Sequence, residues 1–130
     1  IYSLNNKIYN NENDNSLIFL IIIDNYYKFL FMGDASVEVE EELLKKYNFY
    51  DIDILKVGHH GSNTSSGEEF INEINPKYSI ISVGKNNRYG HPSSEVLEML
   101  KYSKIYRTDI DGSIMFKIKK NNIKIETCSP

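Results

Sequence analysis

Two apolar runs separated by two residues constrain this chain more than any other feature. Ser16 to Ile23 and Tyr26 to Met32 are rich in Ile, Leu, Phe and Tyr, with Asp24-Asn25 between them. Asn tolerates the positive φ of a tight turn, so the pattern predicts a β-hairpin. Both runs are nearly continuous rather than alternating, which predicts strands covered on both faces. A sheet of that kind needs helices or a second sheet against it.

The rest of the chain supplies helices in alternation with strands. Ser36 fits as a helix N-cap before Val37, Glu38 and Glu40 to Glu42, with Lys45 and Lys46 after Leu43 and Leu44; acids first and lysines last match the helix dipole. Ile52, Ile54, Leu55 and Val57 make a short strand that runs into Gly58-His59-His60-Gly61-Ser62. A Ser/Thr/Gly stretch leads to a second helix with Phe70, Ile71 and Ile74 inside, stopped by Pro76. Tyr78 to Val83 is a buried strand. A polar loop containing His91 follows, and Ser93 caps a third helix with Val96, Leu97 and Leu100 on one face. Short strands close the chain at 105–107, 113–119 and 123–127, the last two joined by a turn at Asn121-Asn122. Residues 1–16 are polar and turn-rich, which predicts a loop leading into the first strand. The order is a layered α/β arrangement in one domain, without internal repeats.

Composition removes several alternatives. With 130 residues, 41% hydrophobic and 25% charged, the chain is neither disordered nor multidomain. A net charge of −3 argues against a basic nucleic-acid clamp. The longest apolar run, Leu17 to Ile23, is too short to span a bilayer. Cys128 has no internal disulfide partner. The abundance of Ile, Asn, Lys and Tyr beside one Ala and two Arg reflects AT-rich codons rather than function. Tyr26, Tyr27, Tyr47, Phe49 and Tyr50 are expected to be core or interface aromatics rather than a base-stacking platform.

The chemistry gathers at strand ends. Asp34 follows the second strand, His59 and His60 the third, and His91 the fourth. Each gap holds one helix and one strand, so these loops return to one sheet edge, where α/β folds bind ligands. Carboxylate and imidazole suit zinc, manganese or iron. Glycine on both sides of the tandem histidines permits unusual backbone geometry.

Phe31-Met32-Gly33-Asp34-Ala35, Leu55-Lys56-Val57-Gly58-His59-His60-Gly61-Ser62 and Ile81 to Pro92, with its Tyr89-Gly90-His91-Pro92, resemble the metallo-β-lactamase-like domain of ComEC-type DNA-uptake competence proteins. Asn15-Ser16 and Tyr106-Arg107-Thr108-Asp109 with Gly112 resemble it too, so the likeness runs from about residue 13 to 118. The resemblance implies an αββα sandwich, of which this chain is the C-terminal half: a mixed sheet with flanking helices. The family's early His-x-His-x-Asp-His cluster is missing, and nothing near Asn13-Asp14 replaces it. The chain is therefore expected to be one part of a longer domain, with Ile1 not a natural start, and to expose alone the apolar sheet face meant for the other half.

The resemblance also implies roles. Asp34, His59 and His91 are expected metal ligands, for one or two divalent ions, zinc or manganese. His59 and His60 are the expected catalytic pair, one a ligand and the other a proton donor or phosphate holder. Ser62, Asn87 and Tyr89 are candidates for substrate binding or for supporting the ligands from behind, although a loop Ser is more often a cap or turn residue, whereas Arg107 and Asp109 are expected to be structural. The implied reaction is hydrolysis of a DNA phosphodiester by metal-activated water. Hydrolysis of another ester or a lactone, or a catalytically silent interaction module, are the alternatives. The expected partners are DNA for the parent protein, the missing N-terminal half, and a second copy forming a homodimer. The parent is expected to be a bacterial membrane-attached protein, with this fragment a soluble domain of it.

Overall fold

A computed structural model describes residues 1–119 and 122–129. Its centre is a six-stranded mixed sheet in the spatial order β1-β2-β3-β4-β5-β6. The strands are β1 (Tyr2–Ser3), β2 (Phe19–Ile23), β3 (Tyr27–Phe31), β4 (Ile54–Lys56), β5 (Tyr78–Ile81) and β6 (Lys104–Arg107). β2 and β3 form the antiparallel hairpin, turning at Asp24 and Asn25 with φ of 54° and 55°. From β3 onward the pairing is parallel. The crossovers carry α1 (Val37–Lys46), α2 (Glu68–Ile74) and α3 (Ser94–Met99). A short α4 (Thr108–Asp111) leads to a separate two-stranded hairpin, β7 (Ser113–Lys119) with β8 (Asn122–Cys128). The turn expected at Asn121-Asn122 lies partly outside the described residues.

The register decides which face is covered. Leu30, Leu55, Ser79 and Ile105 lie side by side on one face. That face carries the core: Ile18, Leu30, Leu55, Val57 and Ile81 pack with Val39 and Leu43 of α1, Phe70, Ile71 and Ile74 of α2, and Val96 of α3. The opposite face presents Phe19, Ile21, Ile23, Phe29, Phe31, Tyr78 and Tyr106, all only half-buried, beside Tyr27 and Ile54, which are buried. The β7–β8 hairpin covers its far end, where Phe116 sits edge-on to Tyr78 at 6.0 Å and to Tyr106 at 6.4 Å. The expectation that both hairpin strands are covered on both faces therefore fails. Every residue of β2 keeps partial exposure, because in this chain only one side of the sheet receives helices.

Local details depart from expectation for clear reasons. Residues 1–16 are not only a loop: β1 pairs with β2, and Asp14 is buried with its carboxylate accepting the Ser36 N–H at 2.9 Å. Ser36 occupies the N-cap of α1, but its side chain caps nothing. Ser93 does cap, accepting the Val96 N–H at 3.3 Å.

Glu40 belongs to the acidic run of α1 yet is 1% exposed. Its two carboxylate oxygens accept the N–H groups of Ser66 and Gly67, each at 2.8 Å. It thereby ties α1 to the loop entering α2. Burial pushes its pKa up to about 7, against the pull of the two N–H donors. An acid whose folded pKa lies above its unfolded value stabilises fully below the unfolded pKa and loses that contribution as pH rises through the folded one. Stability should therefore decline between about pH 4.5 and 7, by on the order of 3 kcal/mol from this group alone. Chemical denaturation across that range checks it; Glu40→Gln should flatten the slope, and an unchanged slope would contradict the assignment.

Candidate metal centre

The parallel strands β3, β4 and β5 run the same way, so the loops after them share one rim. Gly33 turns the chain after β3 with φ +60°, and a Cβ there would lie 2.6 Å from Ser16 Cβ. Only glycine fits, and its turn delivers Asp34, whose N–H donates to Ser16 Oγ at 2.9 Å. The Asp34 carboxylate is left pointing outward, with its side chain 42% exposed.

After β4 the chain makes a tight turn over Gly58–Gly61 in which His59 and His60 both adopt left-handed backbone, with φ of 45° and 57°. This strain holds two adjacent imidazoles on one rim instead of opposite faces of an extended strand. His60 Nδ1 lies 2.6 Å from the Ser82 carbonyl. A carbonyl only accepts, so Nδ1 carries the proton, and in the neutral ring Nε2 carries the lone pair. Nε2 lies 3.9 Å from Asp34 Oδ1. His59 Nδ1 meets the Thr64 hydroxyl at 3.1 Å, and Thr64 in turn meets Ser62 Oγ at 3.0 Å. A hydroxyl can donate or accept, which leaves the His59 tautomer free.

His91 arrives from the loop after β5. Asn87 brackets its backbone, accepting the His91 N–H at 2.9 Å and donating to its carbonyl at 2.7 Å. The His91 ring stands 6.0 Å from that of His59 and stacks on Tyr89 at 5.8 Å. Burial, and then the neighbouring His59 and His60, push its pKa below the ordinary histidine value, which favours the neutral imidazole.

Thus Asp34, His59, His60 and His91 come to one rim, with Tyr89 beside His91. Of the two roles expected for Ser62 and Asn87, the hydrogen bonds favour support of the ligand loops over contact with substrate. Ser62 is 4% exposed and its hydroxyl faces Thr64, so it supports His59 rather than meeting a ligand. Asn87 spends its amide on the His91 backbone. Arg107 and Asp109 form a two-pronged ion pair at 3.0 and 2.6 Å, consistent with a structural role. Thr64 and Ser82 were not legible beforehand: a hydroxyl within a Ser/Thr run and a backbone carbonyl leave no sequence signal.

The donors are chemically suited to a divalent ion, and a carbonyl behind His60 is the usual support for a metal-ligating imidazole. Their number is not sufficient. Among the described residues no three His, Cys, Asp or Glu side chains converge closely enough to hold an ion. The rim fits as part of a larger donor set and not as a chelate by itself.

Comparison with known proteins identifies the family of the fold. The metallo-beta-lactamase superfamily model matches residues 15–85, a stretch that includes Asp34, His59 and His60. ComE operon protein 3 of Bacillus subtilis is 42% identical over 82% of this chain and 14% of its own length. Competence protein ComA of Neisseria gonorrhoeae is 38% identical over 75% of this chain and 14% of its own length. Recombination protein 2 of Haemophilus influenzae is 31% identical over 97% of this chain and 16% of its own length. The chain thus spans about one-seventh of the length of these relatives. Superfamily members generally bind divalent metals, and no helix among the described residues is long and apolar enough to cross a membrane. With its mixed sheet and flanking helices, the family match over residues 15–85 and these relatives, the chain belongs to the metallo-beta-lactamase superfamily, in the group of such domains found in competence proteins.

Proposed function

We propose that this chain contributes one side of a metal-dependent phosphodiesterase site acting on DNA, and that the site is completed by residues outside it. The observation that carries this reading is the His60 arrangement: Nδ1 held by the Ser82 carbonyl at 2.6 Å, with Nε2 turned to the Asp34 carboxylate on the rim shared with His59 and His91. In this reading Asp34, His91 and one of the paired histidines hold the ion. A bound divalent ion would supply hydroxide at neutral pH by lowering the pKa of water from about 15.7 toward 7. His60 keeps its lone pair available through the Ser82 carbonyl. His59, linked to Thr64 and Ser62, is the group free to take or give a proton. The competence names of the relatives support DNA as the substrate.

The half-buried apolar face of the sheet supports a further part of the proposal. Phe19, Ile21, Phe29 and Phe31 want cover, which the other half of a sandwich domain would provide. In the isolated chain a second copy would serve instead.

The lack of a three-donor cluster among the described residues favours one alternative, that this polypeptide alone is catalytically silent. Both readings meet in one experiment. The parent-length protein should hydrolyse DNA with added manganese or zinc and lose activity with chelator, while the 130-residue chain should be inactive. Chelator-resistant hydrolysis by the parent, or none with any divalent ion, would overturn the proposal.

A further inference from the structure

A cleft of about 360 Å³ opens beside the rim, lined by His60, Val83, Gly84, Tyr89, His91 and Thr108 among others. Most of the polar atoms around it are already occupied. The Ser82 carbonyl takes His60. Thr108 Oγ1 accepts the Val83 N–H and donates to the Val83 carbonyl, both at 2.8 Å. The Gly84 carbonyl accepts the Asn87 amide at 3.2 Å, and the Tyr89 hydroxyl accepts Arg88 at 2.8 Å. What remains for a ligand is largely the ring and methyl surface of Tyr89, His91, Val83 and Thr108, with the imidazoles of the rim, His60 and His91, among its walls. The loop that frames the cleft carries two exposed cations, Lys85 and Arg88. At Gly84 a Cβ would meet nothing within 4 Å, so the cleft continues over that residue.

Flat apolar walls beside a rim of metal-binding chemistry, with cations at the mouth, suit a flat ring carried on an anionic backbone. We infer that the Gly84 cleft receives one base of a single-stranded polynucleotide, without regard to sequence, next to the phosphate presented at the rim. This deepens the phosphodiesterase reading and rests on it for the position of the phosphate.

Binding to this chain tests it without a metal. At low ionic strength, fluorescence anisotropy would use a labelled oligothymidylate of about 12 nucleotides and an abasic oligonucleotide of equal length and charge. The abasic strand should bind at least about fivefold more weakly, the low end of what stacking one base contributes. Gly84→Leu fills the cleft at a position with room for a side chain, and should bring oligothymidylate down to the abasic level; Gly84→Ala should have a smaller effect. Unchanged thermal melting of both variants separates cleft filling from misfolding. Oligoadenylate should bind within about threefold of oligothymidylate. Equal binding of abasic and base-bearing strands, no effect of Gly84→Leu, or no affinity for either strand would overturn the inference. Base-dependent binding by this chain with no hydrolysis by the parent-length protein would sink the hydrolase reading and leave the cleft standing. Hydrolysis by the parent with no preference for bases would do the reverse.

Discussion

Asp34→Ala in the parent-length protein should lower metal-dependent DNA hydrolysis by about a thousandfold or more, equivalent to roughly 4 kcal/mol in the barrier. The expectation follows from how Asp34 is held. Its backbone N–H is fixed by Ser16 Oγ, while its carboxylate faces outward with 42% exposure, 3.9 Å from His60 Nε2. Among the described residues that carboxylate supports the largely buried Lys56 ammonium through space and makes no backbone hydrogen bond, so thermal stability should fall by no more than about 2 kcal/mol. His91→Ala should act alike on activity, since its ring faces His59 while Asn87 secures its backbone. Kinetics beside thermal melting on the same preparations check both. Full activity in both variants would refute the ligand assignment. A lost fold would refute the claim that the fold stands without these side chains.

The second large effect concerns the joint between the two histidine loops. Gly61 has φ +82°, and a Cβ there would sit 2.6 Å from Pro92 Cβ and 3.1 Å from Pro92 Cα. Its carbonyl accepts the Ser93 N–H at 2.9 Å. The loop bearing His59 and His60 thus presses directly on the loop bearing His91. Gly61→Val adds left-handed strain to a clash with backbone that cannot swing aside. It should cost at least about 3 kcal/mol and displace His91 relative to His60. Urea denaturation measures the first, and loss of hydrolysis in any folded fraction the second. A variant with near-native stability would show that the two loops are not locked together. Gly90, where a Cβ meets nothing, is the control within the same loop: Gly90→Ala suffers only its φ of +72° and should cost less.

Much of this arrangement was legible beforehand, for physical reasons. The alternation of apolar strand runs with amphipathic helices required a sheet flanked by helices, and parallel crossovers bring successive strand ends to one edge. That is why Asp34, His59, His60 and His91 could be placed together from spacing. The Asp24-Asn25 turn and the Ser93 cap depend on adjacent residues and were equally legible. Other features depend on contacts across the chain. Glu40 reads as one more acid on a solvated helix face, and only packing of α1 against the loop before α2 reveals it as a buried bracket. Ser62 reads as a loop hydroxyl that could meet a ligand or support one from behind, and only the tight turn over Gly58–Gly61, which directs it inward to Thr64, decides between them. The open face of the sheet does not follow from periodicity, because a continuous apolar strand looks the same whether its second cover lies in this chain or elsewhere; it follows from the likeness to one half of a sandwich, whose inner face the other half would cover.

The central claim is that this chain supplies the Asp34, His59, His60 and His91 side of a metal site. Manganese titrated into the isotopically labelled chain tests it most directly, because paramagnetic broadening reports weak and incomplete binding as well as tight binding. The account predicts that the resonances of these four residues, with those of Gly33 and Gly61, broaden first. Broadening that begins instead at the exposed acids of α2, Glu68, Glu69 and Glu73, while the histidine rim stays sharp, would contradict it.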